Sequence, residues 1–221
     1  MTILSIVGLQ WGDEGKGKIV DYLTQNADVV VRFQGGNNAG HTIIANDIEY
    51  KLNLLPSSII SPNKVSIIGN GVVLDPFHLK KEIAKLQEIG VEITKANLVI
   101  ADNACLILPV HQIIDSISEN IRKSSKIGTT GKGIGPAYSD KVSRRAIRVC
   151  DLSNPTTINT KADDIIAFHR PFLEYHNIEI SRENLIGDLD SIKDLVTSFQ
   201  APVWKVLDEF NNENKVILYE G

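Results

Sequence analysis

Residues 3–33 read ILSIVGLQWGDEGKGKIVDYLTQNADVVVRF, and this stretch decides the fold. Residues 3–9 form a continuous apolar run rich in β-branched side chains, which predicts a buried strand. A Gly-rich turn follows, and apolar side chains then recur at helical spacing, so we expect a helix from about residues 15–18 to residue 26. Residues 28–33 (DVVVRF) predict a second buried strand. Strand, Gly-rich loop, helix and strand in this order form a βαβ unit, which implies a parallel sheet.

The rest of the chain continues the alternation of strands and helices. A helix is predicted from Asp75, the N-cap, with Pro76 at its first position. Further strands are predicted over residues 48–55, 65–74, 97–101 and 215–221, and further helices over residues 75–90, 111–123, 137–148 and in the acidic part beyond 151. We therefore expect one α/β domain over residues 1–221, with a mainly parallel central sheet, a phosphate-binding loop of the P-loop type and helical subdomains.

Composition narrows the function classes. The chain has 221 residues, 43% of them apolar and 23% charged, which argues for a globular core and against disorder. A net charge of −4 argues against a general nucleic-acid binder. The N-terminus lacks the pattern of a signal peptide, and no run of 18 apolar residues occurs, so we expect no membrane segment. Two cysteines cannot form a disulfide framework, so we expect a cytoplasmic location.

The first Gly-rich loop, residues 12–18 (GDEGKGK), fits the pattern G-x-x-x-x-G-K between a strand and a helix. In such a loop, backbone amides, the positive end of the helix and a lysine bind phosphate oxygens. The next residue is Ile19, so the usual hydroxyl ligand of Mg²⁺ is absent. Asp13 and Glu14 lie inside the loop instead, and Asp13 is a candidate metal ligand, a candidate base, or both. The alternative is a Gly-rich turn with solvated charges.

The second Gly-rich loop, residues 34–41 (QGGNNAGH), directly follows the second predicted strand. Loops at the carboxyl ends of strands in a parallel sheet meet at the ligand crevice. His41 is therefore a candidate to face Asp13 across a bound phosphate. A purely structural histidine is the alternative.

A basic segment lies over residues 121–150, where eight basic side chains accompany one acid for a net charge of +7. Basic residues interleaved with glycines favour a phosphate-bearing ligand. Nucleic-acid binding is a competing interpretation. Tyr138 is the one aromatic residue in the segment, however, whereas base stacking in such proteins uses several aromatic side chains. A solvated basic helix face is the third interpretation.

Two other patterns receive structural interpretations. The histidines at 78, 111, 169 and 176 lack metal-ligand spacing, so we predict structural or surface roles for them. Residues 160–163 (TKAD) imitate a guanine-reading motif, but no apolar strand precedes them, so we predict a helix N-terminus.

Four segments together resemble one enzyme family. Residues 10–18 (QWGDEGKGK), 34–42 (QGGNNAGHT), 67–73 (IIGNGVV) and 127–138 (IGTTGKGIGPAY) closely resemble the motifs of adenylosuccinate synthetase, in order and in spacing. The resemblance covers essentially the whole chain but only about the N-terminal half of such an enzyme, so we expect a truncated member whose C-terminal half is absent.

The resemblance implies an activity. The family uses GTP to phosphorylate the 6-oxygen of IMP, and L-aspartate then displaces that phosphate to give adenylosuccinate, the first committed step of AMP biosynthesis. In the family the aspartate-binding loop and the guanine-binding segment fall beyond position 221. We therefore expect little or no ligase activity from the 221-residue chain alone. The alternatives are a nucleotide-binding or dimerisation fragment without ligase activity and another P-loop-type nucleotide kinase or GTPase.

The resemblance also implies residue roles. Asp13 would take the N1 proton of IMP, and His41 would be the acid that hydrogen-bonds the transferring phosphoryl group. Mg²⁺ would be bound by Asp13 and the carbonyl of Gly40. GTP would be bound by Gly12, Asp13, Glu14, Gly15, Lys16, Gly17, Lys18, Gly40, His41 and Thr42. IMP would be bound by Asp13, Glu14, Gly15, Lys16, Asn38, Ala39, Gly40, His41, Thr130 and Arg144. Arg144, with Arg145 as the adjacent alternative, would reach the IMP of the neighbouring subunit, which implies a homodimer with shared sites.

Overall fold

A six-stranded, wholly parallel sheet forms the centre of the molecule in the computed structural model, which describes residues 2–9, 15–38, 40–45, 48–121 and 128–221. Its strands are β1 (Thr2–Ile6), β2 (Val29–Arg32), β5 (Val65–Ile68), β7 (Leu98–Ala101), β9 (Gln200–Ala201) and β10 (Val216–Glu220). Their order across the sheet is β1-β10-β2-β5-β7-β9. The α/β fold with a parallel sheet is thus confirmed.

Two small sheets flank the central one. β3 (His41–Ala45) and β4 (Ile48–Leu52) pair antiparallel, with His41 opposite Leu52. β6 (Val73–Leu74) and β8 (Cys105–Leu106) pair parallel. The strand predicted over residues 48–55 is present as β4. The sequence reading missed β3, whose exposed face carries Ile44 and so breaks the alternation of apolar and polar residues.

Seven α-helices occur in the described part of the chain. They are α1 (Lys16–Thr24), α2 (Pro76–Glu88), α3 (Pro109–Ile121), α4 (Ile134–Val142), α5 (Pro155–Tyr175), α6 (Arg182–Ser198) and α7 (Val203–Asn212). Short 3-10 helices span Ser57–Ile60 and Val149–Ser153. Among the described residues, no helix combines the length and the apolar composition that crossing a membrane requires.

Of two predicted helix starts, one matches its sequence signal and the other lies earlier in the chain. The Asp75 carboxylate accepts hydrogen bonds from the amides of Phe77 and His78, and Pro76 occupies the first position of α2, as predicted. Residues 160–163 are helical, but they do not form the predicted helix N-terminus, because α5 begins at Pro155, after the Asn154 cap.

The helix predicted over residues 137–148 is wrong at both ends, because α4 spans Ile134–Val142. Its end has a local cause. Arg144 adopts a positive φ of 63°, which turns the chain out of the helix. The following residues run extended beside β8, where the Leu106 amide donates to the Ile147 carbonyl at 2.8 Å. A pairing partner that is distant in sequence therefore overrides local helix propensity.

The last strand, β10, lies between β1 and β2. Its pairing begins with Val216 opposite Thr2 on one side and Ile217 opposite Val29 on the other. Ile217 and Leu218 are almost wholly buried, so the core strand predicted over residues 215–221 is confirmed. The predicted βαβ unit is parallel, but its two strands are not neighbours. The P-loop-type loop and the second Gly-rich loop therefore leave the same edge of the sheet one strand apart.

A buried charged network lies at the carboxyl edge of the sheet. The guanidinium of Arg32, the last residue of β2, donates hydrogen bonds to the carbonyls of Asn53 and Gly36, the latter at 2.6 Å. The Glu82 carboxylate, on α2, accepts the Asn53 amide at 2.8 Å and those of the next two residues. Glu220, at the end of β10, interacts electrostatically with Arg32. Arg32, Glu82 and Glu220 thus connect β2, α2 and β10 with the segments at Gly36 and Asn53.

Burial dominates the protonation of this network. It raises the pKa of Glu220 to about 7, against the attraction of Arg32 and a hydrogen bond with Ser57. Burial also raises the pKa of Glu82, although three backbone amides and Arg32 oppose the rise. Because the folded-state pKa of Glu220 lies above its unfolded value, the folded protein binds the proton more tightly. Its contribution therefore favours folding at low pH and is lost as the pH rises towards 7.

We predict that Glu220→Gln flattens the pH dependence of stability between about pH 4.5 and 7, because the amide does not titrate. Relative to the parent, the variant should gain at most about 1.4 kcal/mol per pH unit across this window. Urea unfolding of both proteins at pH 5, 6, 7 and 8 measures this difference. Glu209→Gln, on the exposed face of α7, is the matched control. Parallel stability curves for parent and Glu220→Gln would contradict the prediction.

Candidate nucleotide-binding site

The structure describes most of the predicted site residues. They are Gly15, Lys16, Gly17, Lys18, Asn38, Gly40, His41, Thr42, Thr130 and Arg144. Gly12, Asp13, Glu14 and Ala39 lie outside the described residues, so the predicted juxtaposition of Asp13 with His41 is not tested.

The first loop leads into α1 through Gly15, which has a left-handed backbone with φ 78° and ψ 21°. A side chain would be strained in this conformation, so glycine is favoured here. The Lys18 amide donates to the Gly15 carbonyl at 3.2 Å, and the first turn of α1 contains no acidic residue. Lys18 itself is exposed. The result is a positive helix end with an added lysine and no acid in its own first turn, which suits an anion.

His41 lies directly against this helix end. A Cβ built on Gly17 would be 3.0 Å from Cδ2 of the imidazole and 3.1 Å from Nε2, so a side chain at residue 17 would require the ring to shift. His41 is half-buried at the start of β3, where the second Gly-rich loop ends. The two loops that the sequence analysis singled out therefore meet at one place, with an imidazole on the first turn of α1.

The environment favours the neutral form of this imidazole. Burial lowers the pKa of His41, nearby Asp21 opposes the shift, and Arg32 adds to it. Around neutral pH the ring therefore carries one N–H, which can donate a hydrogen bond to an oxyanion without the cost of a buried positive charge.

The second loop is held from several sides. The hydroxyl of Tyr138 accepts from the Gly35 amide at 2.9 Å and donates to the Gly71 carbonyl at 2.8 Å. Asn37 is buried, and its side-chain amide donates to Asp75 at 3.0 Å. Gly36 has no room for a side chain, because a Cβ there would be 2.5 Å from Ile134 and 3.0 Å from the Val73 carbonyl. The exposed part of the loop, at Asn38 and Gly40, is thus presented from a fixed base.

A third loop, whose described residues 128–133 precede α4, carries the exposed Thr130 and contacts the second loop. Lys132 donates from Nζ to the Asn37 carbonyl at 2.8 Å. The Gly133 amide donates to the Asp115 carboxylate on α3 at 2.9 Å. Gly133 has a φ of 75° and lies against the backbone of α3, where a Cβ would meet atoms at 2.8 Å. Asn38 and Thr130, both predicted to bind IMP, therefore sit on loops that contact each other.

Arg144 stands apart from these loops. Its side chain is exposed at the end of α4, and within the described ranges it makes no hydrogen bond or ion pair inside the chain. The adjacent Arg145 is engaged, since its guanidinium donates to Asp140 at 3.0 and 3.2 Å. No hydrogen bond or ion pair in the described ranges joins the Arg144 side chain to these loops.

Several residues that shape the site were missed by sequence reasoning. Arg32, Glu82 and Tyr138 contact loops far from them in sequence, and no local motif marks such contacts. His111 and His169 also converge on one carboxylate, Asp140, with nitrogen–oxygen distances of 3.2 and 2.8 Å. A structural role for both histidines is consistent with this buried cluster. The residues assigned to Mg²⁺ by resemblance, Asp13 and the Gly40 carbonyl, offer the oxygen ligands that Mg²⁺ prefers.

Comparison with known proteins identifies the family. A family model described as adenylosuccinate synthetase matches residues 5–221. Adenylosuccinate synthetases of Wolbachia pipientis wMel and Ehrlichia canis are 50% and 51% identical over the whole chain, which spans 52% of each. The fully ligated structure of the Plasmodium falciparum enzyme superposes with a TM-score of 0.86 at 35% identity, over all of this chain and 51% of that one. The chain spans about half the length of the relatives it matches, and it belongs to the adenylosuccinate synthetase family.

Proposed function

We propose that this chain is the part of an adenylosuccinate synthetase that binds the GTP phosphates and IMP and performs the phosphoryl transfer. In the complete reaction GTP phosphorylates the 6-oxygen of IMP, and L-aspartate displaces the phosphate. The observation that carries the proposal is the imidazole of His41 on Gly17, at the positive end of α1. An anion-binding helix end beside a neutral N–H donor is the arrangement that a transferring phosphoryl group requires.

The residue roles follow from this arrangement. The amides of residues 15–17, with the side chains of Lys16 and Lys18, would surround the GTP phosphates, together with Gly12, Glu14 and Thr42. Asn38 and Thr130 would bind IMP from the two loops that Lys132 connects. Mg²⁺, bound by Asp13 and the Gly40 carbonyl, would neutralise phosphate charge.

Two side chains would do the proton chemistry. Asp13 would remove the N1 proton of IMP, which makes the 6-oxygen an oxyanion able to attack phosphorus. His41, neutral at the working pH, would donate its N–H to the phosphoryl oxygens as they gain negative charge. Positioning and charge neutralisation, more than covalent help, drive phosphoryl transfer.

Assembly and location belong to the same proposal. A homodimer would let Arg144 reach the IMP phosphate of the neighbouring subunit. Its guanidinium is exposed and has no hydrogen-bond or ion-pair partner among the described residues, which supports this role over Arg145, whose guanidinium is bonded to Asp140. A cytoplasmic location would place the enzyme with its purine nucleotide substrates.

Testing the activity requires the second half of the enzyme. We define the completed enzyme as residues 1–221 joined to the second half of the Wolbachia pipientis wMel relative. We predict that it forms adenylosuccinate from IMP, GTP and aspartate, whereas the 221-residue chain alone forms little or none. Product absorbance and phosphate release, each with and without IMP, measure both proteins. Phosphate release that does not depend on IMP would indicate a GTPase or another kinase instead.

Replacing the proposed base should stop turnover but leave IMP binding largely intact. In the completed enzyme, Asp13→Asn should abolish turnover, because the amide cannot accept the N1 proton. IMP affinity should stay within about tenfold, or about 1.4 kcal/mol. Steady-state rates and calorimetry with IMP measure the two quantities. Glu49→Gln, on the exposed hairpin, is the control with unchanged kinetics. Near-normal turnover of Asp13→Asn would remove Asp13 from the base role.

Replacing the proposed phosphoryl donor should slow the chemical step. His41→Asn in the completed enzyme should lower the single-turnover rate of phosphoryl transfer by about 10²- to 10⁴-fold, the range of a positioned acid or base. Rapid-quench measurement of 6-phosphoryl-IMP formation gives this rate. His176→Asn, after the end of α5, should leave it unchanged. An unchanged rate in His41→Asn would exclude the assignment.

A further inference from the structure

A fully buried carboxylate, Asp140 on α4, collects four hydrogen bonds. Its Oδ2 accepts from Nε2 of His111 on α3 at 3.2 Å and from Nε2 of His169 on α5 at 2.8 Å. Its Oδ1 accepts from Nε and Nη2 of Arg145 at 3.2 and 3.0 Å. We call Asp140, His111, His169 and Arg145 the Asp140 cluster. It joins three helices and the loop after α4.

The Asp140 cluster has the composition of a metal site, because ligand atoms of its two histidines and its aspartate lie within 4.8 Å of one another. Its hydrogen bonds argue against a metal. Nδ1 of His111 accepts the Leu108 amide at 3.0 Å, so the ring proton resides on Nε2, the atom that would have to bind the ion. The Arg145 cation on the same carboxylate also repels a second positive charge.

The carboxylate of Asp140 is held in its charged form. Burial alone would raise the pKa of Asp140, but the hydrogen bonds from His111 and His169 outweigh it and keep the pKa well below its usual range. A buried charge that is this well bonded is costly to displace, so the groups bonded to it are fixed in place.

The groups fixed in this way surround Arg144. The Asp140 carbonyl accepts the amides of Arg145 and Ala146 at 2.9 and 3.3 Å. The Arg145 guanidinium lies 3.5 Å from the ring centroid of Phe168 on α5. The backbone on both sides of Arg144 is therefore anchored, while Arg144 itself has a positive φ and an exposed side chain.

We propose that Asp140 is a positioning residue, which fixes the turn after α4 so that the Arg144 cation projects from the surface, ready for a phosphate-bearing ligand. Asp140 acts through Arg145 and the turn and touches no substrate. The inference rests on the proposed function for the identity of the ligand, the phosphate of IMP bound to the neighbouring subunit. The anchoring of the turn does not depend on that function.

Amide hydrogen exchange in the 221-residue chain tests the anchoring directly. Asp140→Asn replaces one carboxylate oxygen with an NH₂ group. That group cannot accept the hydrogen bonds that either the two histidines or Arg145 donate, so the turn should open more often. We expect the Arg145 and Ala146 amides to exchange about tenfold faster, an opening shift of about 1.4 kcal/mol. Central-strand amides such as that of Ile67 should be unchanged. Equal exchange rates in parent and variant would overturn the proposal.

A double-mutant cycle in the completed enzyme tests the coupling to Arg144. Asp140→Asn should raise the KM for IMP about tenfold with kcat within about twofold, because ground-state binding is lost and chemistry is not. Arg144→Ala should raise the KM at least as much, and combining the two should add nothing. Independent, multiplicative effects would show that Asp140 does not act through Arg144 and would overturn the proposal.

Controls separate positioning from general destabilisation. Asp28→Asn removes a carboxylate that accepts the Val216 amide at 2.7 Å, far from Arg144 in the fold, so it should lower stability without changing the KM for IMP. If Asp140→Asn does not fold, His169→Phe removes one donor and should shift exchange and KM in the same direction, by less.

The outcomes also separate the two proposals. An inactive completed parent enzyme would count against the proposed function, and the exchange experiment would still decide whether Asp140 anchors the turn. Stoichiometric Zn²⁺ binding by the 221-residue chain that is lost in Asp140→Asn would show that the Asp140 cluster is a metal site, and it would overturn the proposal.

Discussion

The candidate site depends on the hydrogen bonds that the Arg32 guanidinium donates to two chain segments. The guanidinium lies at the carboxyl end of a central strand, between two buried acids, and donates to the carbonyls of Gly36 and Asn53. A largely buried cation that is bonded to both segments stabilises them, because releasing either carbonyl would leave a charged donor without that partner in a poorly hydrated place. The second Gly-rich loop, with Asn38, Gly40 and His41 at its far end, starts from this fixed point.

Around that point the site is built by close backbone approaches rather than by a cleft of large side chains. Gly17 admits the His41 ring, Gly36 admits Ile134, and Gly133 lies on the backbone of α3. Tyr138 then fastens the second loop to the turn at Gly71. Glycines at these positions let the described parts of three loops approach one another closely, which brings the first turn of α1 next to the His41 imidazole.

Local signals predicted much of this architecture. The apolar runs of β2 and β10 and the Asp75 cap of α2 are each encoded within a few residues, and each is present as expected. The Gly-rich loop before α1 lies mostly outside the described residues and stays a prediction. The position of β10, the hairpin strand β3, the end of α4 and the Arg32 network depend on contacts between residues far apart in sequence, which no short pattern records. The meeting of Gly17 with His41 agrees with the predicted convergence of the loops. The placement of Asp13 stays a prediction.

The position of β10 also has a consequence for how the chain folds. β1 can pair with its neighbour only after residue 216 is available, more than 200 residues later in synthesis. Until then the first strand has an unpaired edge, and the slot between it and β2 stays open. Such long-range parallel pairing makes folding slow, and the nascent chain must keep its first strand from pairing with other chains. The N-terminal strand, which leads into the first Gly-rich loop, is thus among the last strands of the sheet to be paired.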